Sequence, residues 1–126
     1  MGIINGLLGN ATTLNPEEVQ KKHADILTPG EEVHAAFKVI RDSFIFTNKR
    51  LILIDVQGIT GKKVEYLTIP YKSIKYFTVE TAGRFDLDAE LKIWASSSPQ
   101  PTVNKQLKKG TDVIGLQRTL AHFVIN

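Results

Sequence analysis

A chain of 126 residues with 42% hydrophobic and 23% charged residues can bury a core of its own, which argues against a disordered protein. It has no cysteine, which excludes disulfide scaffolds, thiol catalysis and cysteine-based zinc sites and favours a reducing, cytoplasmic location. The net charge of +3 is not concentrated in a polybasic run, so nucleic acid is not an expected partner.

The chain starts with a short apolar segment, which we call the hook. Its four large side chains fall on one side of a helical turn or two: Ile3, Ile4, Leu7 and Leu8. No basic residue precedes them and the run is far shorter than the roughly 18 residues of a membrane span, so neither a signal peptide nor a span is predicted. Each buried side chain would contribute about 1.5–3 kcal/mol. The hook is therefore expected to pack on its own barrel, in a neighbouring subunit or in a membrane interface, and the sequence leaves all three open.

A helix is predicted over Pro16–Leu27. Asn15 is suited to cap its first turn, and the proline at the first helical position loses no hydrogen bond. Leu14 and Val19 stand at the two positions of a hydrophobic staple. The Thr-Pro-Gly sequence that follows is expected to end the helix.

Seven strands are predicted next, because short apolar or alternating runs are separated by polar breaks: Val33–Ile40, Phe44–Thr47, Leu51–Val56, Val64–Ile69, Ile74–Thr81, Phe85–Ala95 and Thr102–Leu107. The run Leu51–Ile54 is apolar on both faces, so its outer face needs a cover. The N-terminal helix, the first ten residues and another subunit are the alternatives. Asn48, in the turn before this run, is expected to adopt a positive φ. Gly58 and Gly61 mark the loop after it.

A second helix is predicted to follow the strands and to end near Val124. Thr111 is the expected cap, and Asp112 suits the positive N-terminal end of the helix. Seven short strands followed by one amphipathic helix indicate an α+β protein. We expect the strands to form a small antiparallel barrel and the helix to close one of its ends.

The stretch FTNKRLILIDVQGITGKKVEYLTIPYKSI closely resembles short, stand-alone bacterial proteins of the pleckstrin-homology-domain family, as do GLLGN, VETAGRFDLDAELKIW and LKKGTDV. The resemblance implies a pleckstrin-homology-like seven-stranded antiparallel barrel capped by a C-terminal helix. Residues 1–31 would form an extra helical segment and residues 32–126 the barrel, within one structural domain. It also implies ring-like homo-oligomers, and it carries no catalytic residues over to this chain.

No catalytic, cofactor or metal site is predicted. The loop around Gly61 is not a phosphate-binding P-loop, because Val56 stands where the first glycine is required and Lys63 where serine or threonine is required. The histidines lack metal-binding spacing. An enzyme is therefore not expected.

Four cations at strand ends are the candidate anion contacts: Lys49, Arg50, Lys62 and Lys63. Anion capture needs several convergent donors, and the connection between the first two strands, Arg41–Ser43, carries one cation and one carboxylate. Solvated surface lysines are the simpler interpretation.

The predicted function is a non-catalytic binding and self-assembly module that forms a closed homo-oligomer. Its candidate contact residues are those of the hook together with Val19 and Trp94, an aromatic residue on an otherwise charged strand face. The alternative is a peripheral membrane module that uses the basic strand ends and the hook on anionic lipid. An unidentified protein or peptide that adds to an open strand edge is a further possible partner.

Overall fold

A computed structural model of the chain describes residues 13–81, 89–107 and 111–125. The elements in chain order are helix α1 (Pro16–Lys22), a 3₁₀ turn (Ala24–Ile26), strands β1 (Val33–Val39), β2 (Asp42–Thr47), β3 (Arg50–Gln57) and β4 (Lys63–Pro70), a second 3₁₀ turn (Tyr71–Ser73), strands β5 (Tyr76–Glu80), β6 (Ala89–Trp94) and β7 (Val103–Leu107), and helix α2 (Val113–Val124). All seven predicted strands are present. The first half of the predicted Phe85–Ala95 strand lies mostly outside the described residues.

Helix α1 begins as predicted, with the side chain of Asn15 as its cap. The carboxamide oxygen accepts hydrogen bonds from the backbone N–H groups of Glu17 at 2.9 Å and Glu18 at 3.1 Å. The predicted extension of this helix to Leu27 is wrong. His23 has φ −113° and ψ 24°, which ends the α-helix, and the chain continues as a separate 3₁₀ turn.

We expect replacement of Asn15 by alanine to lower the free energy of unfolding by about 1 kcal/mol, because two N–H groups of the first turn lose their acceptor. Urea unfolding followed by circular dichroism measures this loss. Asn15→Ser is the matched control, since serine is an equally good cap. Equal midpoints for the alanine and serine variants would show that the cap contributes nothing.

The strands form two antiparallel sheets, one ordered β1–β2–β3–β4 and one ordered β5–β6–β7. In the first sheet Ile45 of β2 lies opposite Ile52 of β3. The outer edge of β1 is partly covered by the segment before α1, because Thr13 bridges to Phe37 and the Leu14 N–H donates to the Ala36 carbonyl at 2.9 Å. The β1 edge of the first sheet is therefore partly closed to pairing with another strand.

The main core lies between the two sheets and α2. An aromatic group runs through it: the rings of Phe37 and Phe46 are stacked at 6.0 Å, and Phe46 and Phe123 of α2 at 5.1 Å. Helix α2 thus closes the barrel as predicted. Its cap differs from the prediction, since the Asp112 carboxylate, not Thr111, accepts the Gly115 N–H at 3.0 Å.

A second core lies on the opposite, outer face of the first sheet. Val19 of α1 packs there with Ala36, Ile45 and Ile52, and the staple residue Leu14 borders the same cluster. The N-terminal helix of the same chain is therefore what covers the outer face of β3. Val19 is only 7% exposed because its side chain packs within its own chain, and its predicted contact with another copy stays a prediction.

The turn conformations agree with the sequence prediction in one loop and differ from it in one turn. Gly58 and Gly61 have the positive φ values typical of their loop, 79° and 71°. The positive φ predicted for Asn48 is wrong, because within the described part of the chain only Ile40 among the non-glycine residues has one. Asn48 makes its turn through its side chain. It accepts the Glu32 N–H at 2.8 Å and donates to the Gly30 carbonyl at 3.1 Å.

Candidate functional site

The four candidate anion contacts do not form one site. Lys49 and Arg50 lie where β3 begins, whereas Lys62 and Lys63 lie beyond its far end. Seven residue steps along β3 separate the two pairs by about 23 Å. The structure therefore brings these cations together only as two distant pairs.

Arg50 is committed to a structural ion pair with Glu31. Its Nε donates to Glu31 Oε2 at 2.8 Å and its Nη2 to Glu31 Oε1 at 3.0 Å, a two-pronged arrangement in which the glutamate side chain is fully buried. Thr47 Oγ1 donates a further hydrogen bond to Oε2 at 2.7 Å. Hydrogen bonding from Arg50 is the main reason that the pKa of Glu31 falls to about 2, and it outweighs burial, which acts in the opposite direction.

This ion pair, which we call the latch, connects the N-terminal segment to the barrel. Arg50 Nη2 also donates to the carbonyl of Ile26 at 2.8 Å, so the 3₁₀ turn is held by the same guanidinium. Lys49 is tied nearby, its Nζ donating to the carbonyl of Pro29 at 3.1 Å. The role of Glu31 is not predictable from the sequence, because its partner is 19 residues away and no local pattern connects them.

Trp94 is half-buried and is the last residue of β6, the central strand of the second sheet, where it forms an aromatic pair with a residue of the edge strand β5. Its ring stacks on Tyr76 of β5 at 4.7 Å, and its Nε1 donates to the Pro99 carbonyl at 3.1 Å. Trp94 is thus partly used within the chain, while Tyr76 remains 53% exposed. Tyr76 and Trp94 together therefore form the apolar surface here, and Tyr76 is its more exposed member.

Strand β4 forms the outer edge of the first sheet and is poorly covered. Its first four residues, 63–66, are exposed on both faces. Val64 and Tyr66 are the large side chains there, and Tyr66 is 53% exposed. Among the residues that the structure describes, no strand pairs with the free side of β4. An uncovered edge of this kind presents backbone donors and acceptors to any strand that approaches it.

The end of the barrel opposite the latch, where β4 begins, carries two exposed isoleucines that no sequence pattern marks as functional. Ile40, in the turn between β1 and β2, is 64% exposed, and Ile59, in the turn between β3 and β4, is fully exposed. Arg41 Nη2 donates to the Gly58 carbonyl at 2.7 Å and so ties the two turns together. Ile40 has φ +56°, a conformation that costs a β-branched residue free energy.

Lys105 lies below these turns, between two carboxylates. Its Nζ is 3.0 Å from both Asp42 Oδ2 and Asp55 Oδ2. The ammonium group is therefore neutralised inside the fold. Arg41, Lys62 and Lys63 are the exposed cations of this end.

The hook lies outside the described residues, so the predictions for Ile3, Ile4, Leu7 and Leu8 remain predictions. In the described ranges there is no cluster of three or more potential metal ligands. Within the same ranges, no helix has the length and apolar character that a membrane span requires.

Comparison with known proteins agrees with this architecture. The family model described as "Bacterial PH domain" matches residues 2–124. The uncharacterized protein YjqA of Bacillus subtilis (strain 168) is 60% identical over 121 residues, covering 96% of this chain and 97% of YjqA. YozO of the same organism, also uncharacterized, is 35% identical over 100 residues, covering 79% of this chain and 84% of YozO.

Two solved structures show the same fold. The pleckstrin homology domain from Shewanella amazonensis SB2B superposes with a TM-score of 0.82 at 50% identity, covering 99% of this chain and 100% of that one. A DUF1696-family protein with a pleckstrin-homology domain from Shewanella loihica PV-4 gives a TM-score of 0.76 at 55% identity, covering 92% and 98%. With its two sheets, its closing helix and this family match over nearly the whole length, the chain belongs to the bacterial PH domain family.

Proposed function

We propose that this protein is a non-catalytic binding and self-assembly module of the cytoplasm, whose copies join into a closed, ring-like homo-oligomer. The observation that carries the proposal is the exposed outer edge of β4. The absence of cysteine is in keeping with a reducing compartment.

The β4 edge supports self-assembly because it offers both backbone pairing and apolar contact. Val64 and Tyr66 are exposed in a strand whose free side has no partner among the described residues. Pairing with a strand of a second copy would satisfy the backbone groups of the edge and remove both side chains from water.

A second edge makes a closed ring geometrically accessible. In the described part of the chain β5 is one edge strand of the other sheet, and its Tyr76 stacks on Trp94 of the central strand β6. A contact between two different edges is head-to-tail, and head-to-tail contacts close into rings when the rotation between neighbours is suitable. The hook adds four more large apolar side chains that a neighbouring subunit would cover.

The absence of catalysis is part of the same proposal. Among the described residues, Glu31 and Tyr71 have strongly shifted pKa values, and both use their polar atoms inside the fold: Glu31 in the latch and Tyr71 by donating to the Thr47 carbonyl at 2.7 Å. Neither is arranged to exchange a proton with a substrate.

Tyr66→Lys is expected to convert the assembly into monomers, because each β4 contact would then bury a charge in place of an aromatic ring. Light scattering coupled to size exclusion measures the mass, and a drop to 14.0 kDa per particle is the predicted result. Ile114→Lys is the matched control, since Ile114 is an exposed apolar residue of α2 and not of β4. If Tyr66→Lys assembles as the parent does, the β4 edge is not the contact.

A second candidate function is attachment to anionic membranes, and the exposed turns at one end of the barrel favour it. Ile40 and Ile59 project beside Arg41, Lys62 and Lys63, a combination of apolar tips and cations that suits a lipid interface. Sedimentation with phosphatidylserine vesicles tests it. Binding at low salt that disappears at high salt favours this function, and no binding at low salt removes it.

A further inference from the structure

A cleft of about 170 Å³ lies between α1 and the outer face of β1 and β2, a surface that the proposed assembly edges do not use. It opens beside the cross-strand pair of Lys38 on β1 and Ser43 on β2. Nine residues line it: Leu14, Asn15, Glu18, Val19, Lys22, His23, Lys38, Ser43 and Ile45.

The lining of the cleft is divided between apolar and charged side chains. Leu14 and, to a small extent, Val19 provide apolar surface, and the fully buried Ile45 lies beneath them in the second core. A dry apolar cavity of about 150 Å³ is large enough to hold benzene, so this cleft has room for a single ring or a short aliphatic chain.

Two lysines from different elements reach the same cleft. Lys22 comes from the last turn of α1 and Lys38 from β1, both are exposed, and within the described ranges neither has a carboxylate within ion-pair distance. Glu18 is the opposing charge in the lining. Burial and the charge of Lys22 keep the pKa of His23 below its ordinary value, so this imidazole adds no positive charge at neutral pH. The net charge of the lining is therefore positive by one.

We propose that this cleft binds a small amphipathic carboxylic acid. The apolar group would pack on Leu14 and Val19, and the carboxylate would lie between Lys22 and Lys38. A neutral apolar molecule would leave both ammonium groups without a counter-charge, and inorganic phosphate would leave the apolar lining uncovered. Of these three, an amphipathic anion alone matches both halves of the lining.

Octanoate is the probe, and ¹⁵N–¹H correlation spectra of the full-length chain are the measurement. We expect chemical-shift changes grouped at the cleft, around His23, Lys38 and Ser43. Octanamide, which has the same chain length without the charge, should bind more weakly. Equal binding of octanamide, or shifts grouped at another surface, would overturn the proposal.

Single charge removals test the role of the lysines. Lys22→Gln and Lys38→Gln should each raise the dissociation constant of octanoate about 1.5- to fivefold, the range expected for exposed ion pairs. Glu18→Gln should lower it. Lys72→Gln is the matched control, because Lys72 is an exposed lysine outside the cleft, and its variant should bind as the parent does. An unchanged dissociation constant in both cleft variants contradicts the proposed contacts.

A truncated chain tests whether the cleft is open to a ligand or is filled by the hook of the same chain. A chain lacking residues 1–12 should bind octanoate as the full chain does. If only the truncated chain binds, the hook occupies the cleft and the proposal is wrong. This outcome does not depend on particle mass, so the result is independent of whether the ring-like assembly is found.

Discussion

Replacing Phe46 by alanine is expected to lower the free energy of unfolding by about 3–5 kcal/mol, which is a large loss for a single substitution. Phe46 is fully buried and its ring stacks on both Phe37 and Phe123. The substitution removes a ring contact between β2 and α2. Since small domains are stable by about 5–15 kcal/mol, the variant should be at the edge of unfolding.

Guanidinium denaturation measures this loss as a shift of the midpoint at unchanged slope. Phe46→Leu retains most of the apolar volume and should lose much less. Ile114→Ala is a second control, because Ile114 is 62% exposed and its truncation leaves no cavity. A loss below about 1 kcal/mol for Phe46→Ala would contradict the packing described for the core.

Removal of the Glu31 carboxylate from the latch is expected to cause the second large loss of stability. Glu31→Ala is expected to lower the free energy of unfolding by about 3–5 kcal/mol, because Arg50 is left beside a cavity without its partner. The adjacent Glu32 is exposed, so Glu32→Ala is a matched control that should change stability very little. A double-mutant cycle with Arg50→Ala should show strong coupling between the two positions.

The latch also predicts how stability changes with pH. The pKa of Glu31 is about 2 in the folded chain and near 4.5 when unperturbed, so the unfolded chain takes up this proton first as pH falls. The contribution is complete above about pH 4.5 and is lost as pH falls towards 2. The parent should therefore lose stability more steeply in this window than Glu31→Gln does. Parallel slopes would show that Glu31 does not titrate with a lowered pKa.

The sequence predicts well what depends on neighbouring residues. Asn15 caps α1 through N–H groups two and three residues away, and the alternation of Leu91 and Ile93 with polar residues marks β6 as a strand with one buried face. Such features are local, so periodicity and capping rules are sufficient to find them.

The sequence does not reveal contacts whose partner is distant along the chain. The packing of Val19 on Ile45 and Ile52 of the sheet is not visible from the helix sequence alone, and the predicted contact of Val19 with another copy remains untested. Arg50 is predicted as a candidate anion contact, and its ion pair with Glu31 is not visible in the sequence because the two residues meet only in the folded chain. Asn48 makes its turn through side-chain bonds to the Gly30–Glu32 segment, which a φ-based rule does not consider.

Because α1 of the same chain covers the outer face of β3, this face is no longer an argument for self-assembly. That face no longer requires a neighbour, so the proposal depends on the β4 edge, the Tyr76–Trp94 pair and the hook. These surfaces remain apolar and exposed or lie outside the described residues. Contacts between copies at these surfaces would remove their apolar side chains from water.

The most direct test is the mass of the unmodified chain in solution, measured by sedimentation equilibrium at micromolar concentration. The proposal predicts one dominant species whose mass is a fixed multiple of 14.0 kDa and does not change on dilution within this range. A single species of 14.0 kDa at every concentration would contradict it.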